Sequence, residues 1–263
     1  MRRAYHGGRA DRRTVGRTLI GMVFLFVGAP VRPSDGQSPR AANPERPTVA
    51  THAYAVAPGY CELEQGFRVY GFGRLSEGRA WDFNLKIGLR NHVQLGIAGT
   101  GLAWTDGVSG IGDLGLALKL RTGVGESAAL AVVPGATFPT GNQSLSLGAG
   151  RVLGSLVAIW SEDINTVFHT DINVGPVGIG AGEPVLFTSI GLSAALGRWG
   201  LAGESFQFTS GGVGPAQHGL LGAVLVTLAE WIVVDAGGVW ARTRETPDQL
   251  FVGVTANLGR IFK

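Results

Sequence analysis

From Tyr60 onward, apolar residues recur at every second position over long stretches, and this pattern limits the fold more than anything else in the chain. In Gly110 to Thr122, Leu114, Leu116, Leu118 and Leu120 alternate with Asp113, Gly115, Ala117, Lys119 and Arg121. Trp81, Phe83, Leu85, Ile87 and Leu89 alternate with Asp82, Asn84, Lys86 and Arg90, and Phe168, Ile172 and Val174 with His169, Asp171 and Asn173. A period of two puts the two sets on opposite faces of a strand. One face is apolar and the other polar, so each segment separates two unlike environments.

Periodicity does not say which environments these are; strand length and count do. Alternating segments fall at 60–71, 79–90, 92–104, 110–122, 128–138, 145–159, 165–175, 185–196, 199–209, 217–228, 231–241 and 249–262. They exceed the ~5–6 residues usual for globular strands and match the ~9–11 that cross a bilayer at a tilt. Their number is even. Short turns (Arg90-Asn91, Gly123 to Glu126, Ser161 to Asn165, Gly197-Arg198, Ala229-Glu230) alternate with longer loops, as in barrels that keep one end tight and the other elaborate. The expected fold is all-β, a single antiparallel up-and-down transmembrane barrel of about 12 strands.

Composition agrees. Glycine supplies 43 of 263 residues, which disfavours an all-α fold, and only 16% of residues are charged. The net charge of +3 owes much to Arg2, Arg3, Arg9, Arg12, Arg13 and Arg17, so it marks a leader and gives no reason to expect nucleic acid. Cys61 stands alone, which excludes an internal disulfide and a cysteine-rich zinc site.

Behind those arginines lies one apolar run, Leu19 to Ala29, too short to span a bilayer as a helix and proportioned like the core of a secretion signal. Pro30 disfavours cleavage after Ala29, leaving later sites near Gly36 or Ala42. The expected organisation is a signal peptide over 1–36, a flexible periplasmic lead-in over 37–57 and the barrel over 58–263. The last segment, Leu250 to Lys263, closes on Phe262, a terminal aromatic of the kind the outer-membrane assembly machinery reads. Tyr60, Tyr70, Trp81, Trp104, Trp160, Trp199, Trp231 and Trp240 mostly fall near segment ends, where interfacial girdles belong.

Several motifs occur in a telling order. Pro58 to Glu64 (PGYCELE) opens the barrel and Ile87 to Ala98 (IGLRNHVQLGIA) forms a turn. Gly112-Asp113 leads a strand ending in Lys119-Leu120-Arg121, and an apolar strand then runs to FPTG at Phe138 to Gly141. A lone Glu204 sits in a late strand, and Val233 to Trp240 and Phe251 to Leu258 close the chain. In these features the mature chain resembles the outer-membrane transporter-like family named after the meta-pathway of phenol degradation (MetA-pathway phenol degradation family). The resemblance implies a β-barrel in the outer membrane of a Gram-negative bacterium that passes small molecules, hydrophobic or aromatic ones among them, by passive diffusion.

The polar residues expected to face the lumen are Glu62, Glu64, Arg68, Asp82, Lys86, Arg90, Asp113, Lys119, Arg121, His169, Asp171, Glu204 and Asp235. A twelve-strand barrel is too narrow to leave them all in open water, so opposite charges should pair across neighbouring strands and partly fill the interior. An enzyme is not expected. His169 with Asp171, or His218, could work with Ser193 or Ser205 as a hydrolase site, but no nucleophile motif accompanies them. No metal-ligand spacing appears among the histidines, Gly110-Ile111-Gly112 has no helix after it, and no cofactor is expected. FPTG reads as a strand end with a turn, or as a loop shaping the mouth. The expected partners are membrane lipid, the assembly machinery and a small solute. Two rival readings stand beside the channel: a non-conducting structural or adhesive barrel, and a secreted β-sandwich that binds a ligand.

Overall fold

The computed structural model describes residues 38–72 and 77–263, together with the backbone of Val27 and Gly28, which pairs antiparallel with Pro47–Thr48. The rest of the expected signal segment, and its cleavage site if near Gly36, lies outside the described residues.

Twelve long strands follow the register of the alternation. They are β1 (Tyr60–Tyr70), β2 (Gly78–Arg90), β3 (Val93–Thr105), β4 (Leu114–Val124), β5 (Ala128–Phe138) and β6 (Leu153–Asp163), then β7 (Phe168–Ile179), β8 (Val185–Leu196), β9 (Trp199–Phe208), β10 (Gln217–Ala229), β11 (Ile232–Ala241) and β12 (Gln249–Arg260). Each pairs antiparallel with its sequence neighbours, and β12 pairs with β1 from Gln249↔Tyr70 to Arg260↔Tyr60. The sheet therefore closes on itself and satisfies the backbone of every strand without an open edge. One end carries the short turns at 91–92, 125–127, 164–167, 197–198 and 230–231; the other carries the longer loops. Gly197 takes a φ of 66° in the two-residue turn between β8 and β9, where a side chain would be strained.

The outside of the wall is apolar. Leu116, Leu120, Ile172, Ile190, Leu192 and Leu201 are exposed on it, as an acyl-chain environment allows and water does not. Trp81, Trp104 and Trp240 stand on the outer face near the long-loop end, and Trp199 and Trp231 at the short-turn end. Tyr70 differs from the girdle expectation. Its hydroxyl lies 2.7 Å from Thr105 Oγ1 and its ring beside the Arg68 guanidinium, inside the mouth.

The interior is filled in two halves. Ala131, Val157, Ile159, Phe187, Phe206 and Leu225 form part of an apolar core inside the β5–β11 side, with Phe187 and Phe208 stacked at 4.8 Å. The charged residues gather mainly on the β12–β4 side.

Two stretches depart from the sequence reading. The alternation read over 145–159 belongs to a strand only from Leu153; Leu145 and Leu147 lie in a loop, where Leu147 is buried in the barrel mouth. The segment expected as a flexible lead-in is packed inside the barrel: Ala42, Ala50, Ala53 and His52 are all at most 3% exposed. A chain of small and polar residues without periodicity can thread a lumen, because the wall supplies the hydrogen bonds that such a segment cannot make to itself.

Candidate functional site: a lumen filled by the N-terminal segment

Residues 38–57 enter at the short-turn end, where Ala42 N donates to Glu230 O at 2.8 Å, and return to that end where Gly59 N donates to Gly88 O at 2.7 Å. Between these points the segment crosses the lumen, and inward-facing side chains satisfy its backbone one group at a time. Asn43 N donates to Glu62 Oε2 at 2.7 Å, and Glu45 N donates to Glu64 Oε1. Val49 N and Ala50 N donate to the two oxygens of Glu204, each at 2.6 Å. Asn173 accepts from Thr51 N and donates to Thr51 O, both at 2.8 Å, fixing the segment at one residue from both sides of its peptide. Ser161 Oγ accepts from Ala53 N at 2.7 Å and Gln94 Oε1 from Val56 N at 2.9 Å.

The charges interlock in the same way. Lys86 is fully buried between Glu62 Oε1 at 2.5 Å and Glu64 Oε1 at 2.8 Å, and also donates to Asn43 O. Lys119 pairs with Glu45 and donates to His52 O at 2.8 Å and Tyr54 O at 3.1 Å. Arg46 reaches Asp235 through Nε and Nη2, each at 3.2 Å. Its guanidinium lies over Gly66 and Gly253, where a side chain at either glycine would collide with it. Burial alone would raise the Glu45 carboxyl, but the Lys119 and Lys86 ammoniums override it and hold the group at about 2. Burial and the nearby Lys119 push the His52 imidazole well below its usual range, so it sits neutral in the lumen.

Most of the sequence-derived candidates lie on this inner surface. Glu62, Glu64, Lys86, Lys119, Glu204 and Asp235 contact the inserted segment directly. Arg68 and Asp82 pair with each other at 2.7 Å, and Thr100 Oγ1 donates to the same carboxylate at 2.6 Å. His169 lies between Asp163 (2.8 Å) and Asp171 (3.1 Å), and Asp171 also accepts from Ser161 Oγ. The Arg121 guanidinium lies 5.2 Å from the Tyr54 ring centre. Asp113 is buried near the long-loop end, and Arg90 is exposed at the short-turn end, apart from the others.

Of the hydrolase combinations, Ser205 meets His218, whereas Ser193 does not reach the His169 ring. Both ring nitrogens of His169 face carboxylates, and Ser193 Oγ donates to the His169 carbonyl at 3.3 Å and not to its ring. Ser205 Oγ lies 3.3 Å from His218 Nε2 on the outer face of β9 and β10. The described residues contain no group of three or more His, Cys, Asp or Glu side chains arranged to hold a metal.

Beyond the inserted segment, toward the long-loop end, lies a pocket whose space, including its open mouth, is about 470 Å³. Its floor is Arg46 to Val49, and its walls include Arg68, Asp82, Leu221, Val239 and Phe251. The lumen thus consists of a pocket open on one side and a packed segment on the other. Glu45, Arg46, His52, Gln94 and Asn173 are the contributors that charge and motif reading passed over.

No protein-family model matches the chain, and no characterised protein matches its sequence. Among solved structures, it is similar to an outer-membrane channel of Pseudomonas putida F1, with 13% identity and a TM-score of 0.60 over 78% of this chain and 97% of that one. It is also similar to the KdgM porin in complex with disordered oligogalacturonate, with 9% identity and a TM-score of 0.53 over 73% and 98%. At these identities the likeness is one of fold: a closed antiparallel barrel.

Proposed function

We propose that the chain is an outer-membrane channel of a Gram-negative bacterium that passes small molecules, hydrophobic or aromatic ones among them, by passive diffusion, and that residues 38–57 hold it closed at rest. The observation that carries this reading is the closed twelve-strand wall, apolar outside and charged on much of its inside. Such a wall suits a bilayer around a polar path. The short-turn end is then periplasmic and the long-loop end extracellular. The two similar structures, an outer-membrane channel and a porin, support the same class, and the ordered motifs support a place in the meta-pathway phenol degradation family.

The packed lumen favours a second reading, a barrel that never conducts. The two part on one experiment: the full chain is expressed in a Gram-negative host, recovered from the outer-membrane fraction as a heat-modifiable band, and reconstituted for liposome swelling and conductance. Solute flux that rises when the inserted segment is loosened supports the channel. Membrane residence with no flux from any folded variant supports the non-conducting barrel, and an aqueous product contradicts both.

A further inference from the structure

On the long-loop side, β3 changes partner. Its pairing with β4 covers only Val93↔Leu120 to Gly99↔Leu114, and beyond it β3 pairs with the short return Val108–Gly110. The loop 139–152 folds inward beside that return. Leu147 is 8% exposed and packs on Ala80 and Ala103, which face the interior from β2 and β3, and against Tyr70 and Val108.

One side chain fixes this arrangement. Asp113, 5% exposed, accepts from Gly141 N at 2.9 Å through one oxygen and from Ala149 N at 2.7 Å through the other, so it holds both ends of the inward turn. Thr140 Oγ1 adds a bond to Gly112 O at 3.0 Å. Within the turn, Asn142 Oδ1 accepts from Ser144 N at 3.0 Å and Leu147 N donates to Asn142 O at 3.0 Å, shaping the loop before it meets the wall. The fit leaves no slack: a side chain at Gly148 would collide with the Asp113 carboxylate, and one at Gly141 with the Leu147 carbonyl. A carboxylate that accepts two backbone N–H groups in a buried setting is a strong and directional clamp. Near this deck lie the Tyr70–Thr105 contact and the Arg68–Asp82 pair, and the latter two residues line the pocket.

We infer that loop 139–152 is a fixed constriction at the mouth that sets the largest solute able to reach the pocket, with Asp113 as its positioning residue; this rests on the channel reading above. Asp113→Ala removes both acceptors and frees the turn to swing outward. Asp113→Asn keeps one carbonyl oxygen and falls between.

The test uses the full chain carrying Glu45→Gln, which loosens the inserted segment, with Glu204→Ala as an alternative background if the first assembles poorly. Swelling rates are compared for a mono-, a di- and a tetrasaccharide, and a nitroxide at Leu147→Cys, with Cys61→Ala, reports water exposure. Asp113→Ala is expected to raise the tetrasaccharide-to-monosaccharide rate ratio several-fold at an unchanged heat-modifiable yield and to expose the probe, with Asp113→Asn intermediate. An unchanged ratio with clear monosaccharide flux overturns the inference and leaves the channel intact. Absence of flux from every folded variant overturns the channel reading and the inference together.

Discussion

Glu45 and Lys119 form an ion pair inside the barrel, the carboxylate carried by the inserted segment and the ammonium by β4. Gln94 Nε2 adds a hydrogen bond to the same Glu45 oxygen at 2.9 Å, so wall and segment meet at a fully engaged charged contact. Breaking one side of such a pair leaves a charge without compensation in a buried setting.

Glu45→Gln is therefore expected to weaken docking of residues 38–57 by about 3–5 kcal/mol, the usual cost of orphaning a buried charge. Limited proteolysis of the folded barrel should cut within 38–57 faster in the variant, with the strands protected. Adding Lys119→Met should recover part of the loss: it removes the orphaned charge, which costs most, but also the donor to His52 O and Tyr54 O.

Acid should loosen the same segment. His52 is neutral when docked and has its ordinary value, 6.5, once released, so the released form binds the extra proton first. Its contribution to docking is complete above 6.5 and falls as the pH drops below it. Glu45 acts in the same direction at lower pH, losing its contribution between 4.5 and about 2. Amide exchange over residues 48–57, corrected for intrinsic rates, should rise between about pH 7 and pH 5. In His52→Gln that rise should be smaller. The charged and titratable groups acting on His52 are Lys119, Glu45, Lys86 and His169, and none of them leaves when it is replaced.

Glu204 tests the hydrogen bonds apart from the ion pairs. Its two oxygens hold Val49 N and Ala50 N. Glu204→Ala should cost about 0.5–1.5 kcal/mol of docking per bond, and Glu204→Gln less. Protease protection of residues 46–52 should rank wild type, then Gln, then Ala.

The alternation showed the wall and did not show what fills it. Period alone places Leu116 and Lys119 on opposite faces, and those are the faces they occupy, because a strand has no other way to place them. The inserted segment had no such signature: Asn43 to Ala57 folds with no regular structure of its own beyond Pro47–Thr48, and its conformation is dictated by distant partners such as Asn173 and Glu204. A trace of it was nonetheless present. The inward neighbours of Asp235 include Gly253, and next to that Gly66, a lone carboxylate beside two gaps, which Arg46 fills. The sixth segment failed for a related reason: Leu145 and Leu147 keep the beat of a strand, but Asn142 and the αL residue Ser146 turn the chain before it can join the wall.

Leu116 bears on the outer face. It is 38% exposed in the middle of β4's apolar row, so Leu116→Arg should cost about 2–4 kcal/mol at the bilayer midplane and sharply lower the heat-modifiable band. Leu116→Ala should assemble normally. Equal yields of all three proteins would contradict the orientation of the wall.

The most direct test of the whole account compares liposome swelling by purified, heat-modifiable wild type and Glu45→Gln for one small uncharged solute. Slow swelling is expected of the wild type and markedly faster swelling of Glu45→Gln, partly reversed when Lys119→Met is added. Equal rates from the two folded proteins, with residues 38–57 shown by proteolysis to have been released, would contradict the claim that this segment closes the barrel.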